Sequence, residues 1–278
     1  MKRPVAIVLL SLIVLGVVAA PVKNIVFTQV DSRVMPANSP IAITGVVGSE
    51  RFPGQEGNPI EIIIPHQEIG SSEITSYLDS VKALPGIIRV GQPENIGTTI
   101  RVSAVHEMPA RTPEAEKLIN QIRAIKAPAG TLIGGVAADY TDSQGGIART
   151  LPWALLWIAI GVLILLFMFT GSIILPIKAV ILNFISLGAT LGAMTWVFVD
   201  GHMQWLTGAF TVTGTIDTSM VILIAVVAFG LSMDYEVFLL SRIKEEHDAG
   251  RSNIEAVATG LQRSARIITA AALLLAVV

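Results

Sequence analysis

Four stretches of this chain are apolar for about the length of a bilayer crossing: Pro4–Ala20, Leu151–Thr170, Pro176–Val199 and Thr218–Ser241. A hydrocarbon core about 30 Å thick needs roughly 20 mostly apolar residues per helix. Backbone amides find no water there, so such a segment must satisfy its hydrogen bonds internally, as a helix. A fifth apolar run starts near Ile267 and is still apolar at Val278. That run is too short to span, so we expect a fragment, or a chain cut inside a helix. Composition agrees. Hydrophobic residues make up 52% of the chain and charged residues 14%, against about 25% charged in a soluble domain.

Several function classes drop out at once. The formal net charge is -2, which does not suit a nucleic-acid partner. There is no cysteine, which removes disulfides, thiolate metal sites and cysteine nucleophiles. His66, His106, His202 and His247 are scattered without ligand spacing and read as surface residues rather than metal ligands. Neither a Walker sequence nor a nucleophile–base arrangement occurs, so we expect no enzyme and no cofactor. Gly134-Gly135 lacks the glycine spacing and the following Lys-Ser/Thr of a phosphate loop. It reads instead as close backbone packing or a bulge.

Basic residues orient the spans, because Lys and Arg collect in short cytoplasmic loops. Lys2 and Arg3 precede the first segment, and Lys178 lies in the tight turn between the second and third. Arg242, Lys244, Arg251, Arg263 and Arg266 follow the fourth, whereas Asp200–Asp217 contains no Lys or Arg. One arrangement fits every short loop. The N-terminus is cytoplasmic, residues 22–150 are extracytoplasmic, and the 170s turn and 241–266 are cytoplasmic. The expected location is a plasma or inner membrane, crossed several times. The first segment also fits a secretory signal peptide, with Lys-Arg, an apolar run and "VVAA". Pro21 is a poor cleavage context and favours a retained helix. Both readings leave 22–150 outside.

The domain plan is then a first transmembrane helix at 1–21, an external domain at 22–150 and a helical bundle at 151–278. The bundle helices fall at about 151–170, 176–199, 218–241 and an incomplete 267–278. Within the external domain, 59–65, 85–90, 98–105 and 130–138 read as strands. Residues 71–84 read as a helix capped by Ser71 or Ser72, with Ile74, Tyr77, Leu78 and Val81 on one face. Residues 112–127 read as a helix with Thr112 as cap, Pro113 at the first position and Leu118, Ile122 and Ile125 as the buried stripe. The order β-α-β-β-α-β predicts a ferredoxin-like, α+β subdomain. Asp139–Thr150 reads as a polar helix running into the second span.

"FGLSMDYEVFLLSRIKEE" (229–246) puts a carboxylate inside the fourth span. Such a group costs roughly 2.5–3.5 kcal/mol on the insertion scale. Asp234 precedes Arg242 by eight residues, about 12 Å along a helix, too deep to reach the interface. It must face a protein partner or a water-filled path. Gly230, one turn earlier, removes bulk on the same face so that another helix can approach. Tyr235 offers a hydroxyl on an adjacent face, and Ser232 stands four residues before Glu236, within reach of it. Two readings stand for Asp234: a static buried bond that locks packing, or a protonatable relay tuned by desolvation. Ionisable residues within spans mark ion pathways, which favours the relay. Elsewhere, Asp217 with Thr218 reads as the cap of the fourth helix and Asn183 as a helix–helix hydrogen bond. Residues 241–267 read as a basic amphipathic helix on the inner surface, with Glu245, Glu246 and Glu255 solvated.

The 229–246 stretch closely resembles the Asp-Tyr signature of the MMPL family, within the RND superfamily of proton-driven exporters, in the form found in the C-terminal half. "IGGVAAD" (133–139) is similar to the end of that family's porter domain. The resemblance covers nearly the whole chain. It implies an RND-type half, with a membrane bundle and a ferredoxin-like porter subdomain. It also implies Asp234 as proton carrier with Tyr235 as its hydrogen-bonding partner, supported by Gly230, Ser232 and Glu236. Protons would be the coupling ion, and the cargo lipids or other hydrophobic molecules moved outward. Only one half is represented, so the partner would be a missing N-terminal half or a second copy of the fold. Two other classes stand beside this one: a membrane-anchored module that binds a partner or lipid without transport, and a protein-translocation auxiliary of related fold.

Overall fold

The computed structural model describes residues 4–29, 34–36, 38–52, 54–65, 68–208 and 210–277. The orienting Lys2 and Arg3, together with His66 and Val278, lie outside the described residues. The chain divides into two compact units. One comprises Met1–Ile25, Trp153–Val197 and Ser219–Val278; the other comprises Val26–Pro152 and Phe198–Thr218.

The first unit is helical. Its elements are α1 (Pro4–Ala19), the apolar part of α5 (Val136–Thr170), α6 (Ile174–Met194), α8 (Thr218–Asp248) and α9 (Asn253–Val277). A 3-10 turn, Ala20–Asn24, follows α1, and a π-helical turn, Thr195–Val199, continues α6. Four helical segments, Val5–Asn24, Val136–Thr170, Ile174–Val199 and Thr218–Asp248, are long and apolar enough to cross a membrane. α1 packs along α6 at very close range. A Cβ added at Gly192 would overlap the Val18 carbonyl oxygen. Small residues at such a crossing let two backbones approach, which is how helices gain contact where no hydrophobic effect separates protein from lipid.

The basic end of α8 corrects the sequence reading in two respects. Residues 241–267 do not form one surface helix. α8 runs on to Asp248, the chain turns at Gly250 (φ 90°), and α9 starts at Asn253. The run at 267–278 is the far part of α9, a single helix of 25 residues rather than a separate element. Glycine supplies the left-handed residue that stops α8. Ser252 caps α9 by accepting from the Glu255 amide at 3.4 Å, while Glu255 reaches back to the Ser252 amide at 3.3 Å. The second correction concerns Glu246, which is not solvated: it is only 5% exposed. Arg251 binds its Oε2 at 2.7 Å and Arg263 binds its Oε1. The turn brings the arginines from beyond Gly250 onto a carboxylate that precedes it, which linear spacing does not reveal.

The second unit contains the sheet. Its strands are β2 (Ile60–Pro65), β3 (Ile87–Val90), β4 (Glu94–Ile96), β5 (Thr99–His106) and β6 (Leu132–Gly134). The order is β3-β5-β2-β6, with β4 pairing β5, and every pairing is antiparallel. Ile60 faces Ala104 and Ile64 faces Ile100 across the β2–β5 pair. α3 (Ser72–Lys82) and α4 (Pro113–Ala124) supply the rest of the core: Ile74, Tyr77 and Val81 from one, Leu118, Ile119 and Ile122 from the other. Their caps are Ser71, which accepts from the Ile74 amide at 3.4 Å, and Thr112, which accepts from the Ala115 amide at 3.4 Å. Alternation sends Glu61, Arg101 and Ser103 to the other face of the sheet. There Arg101 grips the Glu61 carboxylate at 2.8 and 2.9 Å and, helped by Ser103, holds it below the usual carboxylate range against the opposing effect of burial.

The last strand is shorter than the 130–138 expectation. β6 ends at Gly134, and Val136 already belongs to α5. Gly135 makes the corner at φ 95°, where an added Cβ would stand 2.5 Å from the Pro59 carbonyl. His106 is the other correction here. It is fully buried rather than on the surface, with Nε2 3.2 Å from the Asn58 carbonyl. The strand alternation that points Ile100, Val102 and Ala104 inward carries His106 inward as well. His202 and His247 are exposed.

The remaining elements were not anticipated. α2 (Pro40–Arg51) is capped by Ser39, and the one-turn α7 (Gln204–Thr207) follows the third span. The two-residue strands β1 (Phe27–Thr28) and β7 (Ile216–Asp217) pair in parallel. Asp217 thus lies in a strand immediately before α8.

Candidate functional site in the membrane helices

α6 and α8 pack through one face of α8. The Phe184 and Phe229 rings stand 6.3 Å apart, tilted by 58°. Asn183, only 3% exposed, donates through Nδ2 to the Met233 sulfur at 2.7 Å and to Glu236 Oε2 at 3.3 Å. Phe229, Met233 and Glu236 follow i, i+4, i+7 spacing and therefore share one helix face. An intramembrane carboxylate is thus satisfied within the chain, but it is Glu236. The sequence reading offered Ser232 as its partner; the partner is Asn183, a turn-by-turn match that depends on how α6 is rotated.

Asp234 is on the other side. At about 100° per residue it lies roughly 160° around the helix from Glu236 and roughly 140° from Phe229. Asp234 is exposed, and among the described residues it makes no hydrogen bond or ion pair. Gly230 is exposed on the same stripe, where an added Cβ would meet nothing within 4 Å. Leu223, Val227 and Val237 continue the stripe and are also exposed. The helix expected to approach at Gly230 is not supplied by the described residues. Tyr235 is half-buried on an adjacent face and makes no hydrogen bond among them. Asp234 and Gly230 stand together along one open side of α8, Tyr235 lies on the face beside it, and Glu236 belongs to the packed side.

Toward its basic end α8 is anchored by cations. Lys244 donates to the Phe169 carbonyl at 3.0 Å, and Arg242 lies 5.6 Å from the Phe238 ring centre while binding Glu245 at 2.7 Å. Among the described residues no cluster of three or more His, Cys, Asp or Glu could hold a metal ion.

Long apolar helices, one presenting a carboxylate on its open face, define a polytopic membrane protein. A family model described as the MMPL family matches residues 95–278, and the chain belongs to that family. It is 35% identical over its full length to a protein of Streptomyces coelicolor named only as a membrane protein, and covers 38% of it. It is 33% identical over its full length to the trehalose monomycolate exporter MmpL3 of Mycobacterium tuberculosis, covering 31% of that protein. It is 28% identical over 99% of its length to the mycolic acid-containing lipids exporter MmpL11 of Mycolicibacterium smegmatis, covering 30%. The chain thus spans about a third of the length of the curated relatives it matches. By name the two mycobacterial relatives are transport proteins, not enzymes.

Proposed function

We propose that the chain is one half of a proton-driven exporter of lipids or other hydrophobic molecules. The observation that carries this reading is the open stripe around Asp234: a carboxylate within an apolar helix, on the face turned away from α6, with no partner among the described residues. A charge there is costly unless a partner or a water path meets it. The remaining half, or a second copy, supplies that partner on the open face beside Gly230. Asp234 carries the proton, with Tyr235 as its adjacent hydrogen-bonding group. Glu236 and Asn183 hold α8 in the rotation that this requires.

The sheet unit is the porter part. Its strand order β3-β5-β2-β6, with α3 and α4 both contributing to one core, supports a ferredoxin-like reading of residues 60–134. The basic residues beyond α8 support a cytoplasmic position for that end and an extracytoplasmic one for the sheet. Residues 1–278 contain no cysteine, so in a whole transporter whose remaining cysteines are replaced, single substitutions report sides directly. Ser80→Cys should react with a membrane-impermeant maleimide on intact cells, and Ala249→Cys should react only after permeabilisation.

The deciding experiment replaces Asp234 in the whole transporter. Asp234→Asn is expected to reach the membrane at wild-type level and to abolish export, with partial function for Asp234→Glu. Wild-type export by Asp234→Asn would remove the relay. A pure membrane anchor would tolerate Asp234→Leu.

A further inference from the structure

Thr218, the first residue of α8, is held from two directions. It is 5% exposed, and its hydroxyl donates to the Thr28 carbonyl at 3.0 Å while accepting from Gln144 Nε2 at 2.8 Å. Thr28 is itself buried and donates to the Arg111 carbonyl at 2.5 Å. Tyr140 donates to the Phe27 carbonyl at 2.8 Å, and the Ile216 amide to the Val26 carbonyl at 2.9 Å. Four pieces of chain therefore meet within one compact unit: the exit from α1, the residue before the α4 cap, the first turns of α5 and the entry to α8.

The surroundings of this joint differ in kind. The connection ahead of it has glycines at positive φ, Gly208 at 86° and Gly214 at 70°, with Thr211 and Val212 exposed between them. A pair of two-residue strands has little stability of its own. Those elements alone would let the start of α8 slip against α5. The buried hydroxyl prevents this, because each of its bonds is expensive to leave unmade in a dry site. One side chain both donates and accepts, and only serine or threonine can do so at this size.

We infer that Thr218 is the positioning residue that registers α8, the helix of Asp234, against α5 and the Val26–Thr28 segment, so that a shift of α8 is passed on to them. The inference rests on the proposed proton-driven function and assigns it a mechanical joint. Thr218 touches neither the proton site nor the cargo; it acts through the helix it begins.

The test uses the whole transporter in proteoliposomes with an imposed pH gradient, reading lipid efflux and proton uptake separately. Thr218→Val keeps the shape of the side chain and removes both bonds, whereas Thr218→Ser keeps both. Thr218→Val should lower lipid efflux about tenfold while proton uptake persists, a loss in the usual range of coupling between sites. Thr218→Ser should restore efflux to within about twofold, and Gln144→Leu, which removes one bond, should fall between them. Wild-type efflux from Thr218→Val overturns the inference. So does an equal fall of both fluxes, or a fall that serine does not rescue, since either would mark a purely structural role. If Thr218→Val does not accumulate, Gln144→Leu decides by the same ratio of fluxes. Lipid efflux without proton uptake in the wild type would sink the proton-driven reading and this inference together. That outcome is read on the unaltered protein, so it is distinct from a failure at Thr218 alone.

Discussion

Asn183 and Glu236 join α6 to α8 through a 3.3 Å hydrogen bond, and the same bond turns Asp234 to the opposite side of α8. Removing either partner therefore has different consequences. Asn183→Leu leaves Glu236 without its donor and should lower stability by about 1 kcal/mol, near the upper part of the range for interhelical bonds in membranes. Glu236→Gln keeps an acceptor and should cost less. Thermal midpoints in detergent, read by fluorescence-detected size exclusion, give the order; a larger loss for Glu236→Gln would show that Asn183 is not its main partner.

Glu246 should be the most sensitive charged residue at the basic end. A hydrogen bond to a charged group typically contributes about 1.5–3 kcal/mol, and Glu246 is buried with two such partners, Arg251 and Arg263, whose side chains are 47% and 61% exposed. Glu246→Ala strands Arg251 and Arg263 and should reduce the folded yield sharply. Arg263→Ala should be milder, because its side chain is 61% exposed and Arg251 still binds the carboxylate. Equal losses from the two variants would contradict the clamp.

Gly192→Ala tests the crossing of α1 with α6. The added Cβ would overlap the Val18 carbonyl, which is backbone and cannot rotate away. The helices must separate, at an expected cost of about 1–3 kcal/mol for overpacking. Gly230→Ala adds the same atom where nothing lies within 4 Å and should leave the stability of this chain unchanged. A comparable drop for both would mean that the loss does not come from the crossing, since alanine in place of glycine by itself favours a helix backbone.

Burial holds the His106 imidazole below its ordinary value of 6.5, opposed by its bond to the Asn58 carbonyl. The folded form therefore carries fewer protons than the unfolded form between the lowered value and 6.5. Stability is complete above pH 6.5 and declines as the pH falls below it, until the lowered value is passed. Glu61 adds a second decline at more acid pH, below its ordinary 4.5, as its bond to Arg101 is lost. Hydrogen exchange at Ile60–Ile64 across this range should show both steps, and His106→Gln should remove only the first. An unchanged profile in that variant would exclude His106 as the source.

Much of the fold was legible because its signals are local. Spans follow from runs of apolar residues, and α3 and α4 follow from Ser71, Thr112 and Pro113 ahead of periodic aliphatic residues. The alternation along 99–106 also contained the burial of His106, although a lone histidine was read as a surface residue. Other features have no local signal. Nothing in 241–267 announces that Gly250 folds Arg251 and Arg263 back onto Glu246. The two-residue strands β1 and β7 are too short to carry a pattern, and their pairing joins residues 189 positions apart (Phe27 with Ile216).

By itself the sequence determined that the chain crosses a membrane and that one of its helices carries acidic residues, because transfer from water to hydrocarbon depends on composition over about 20 residues. Helical periodicity also determined that Asp234 and Glu236 point to nearly opposite sides. Only the tertiary structure decided which of the two is bonded and which is open. That choice rests on the rotation of α8 against α6, set by the packing of Phe184 on Phe229 and by a buried asparagine 53 residues away.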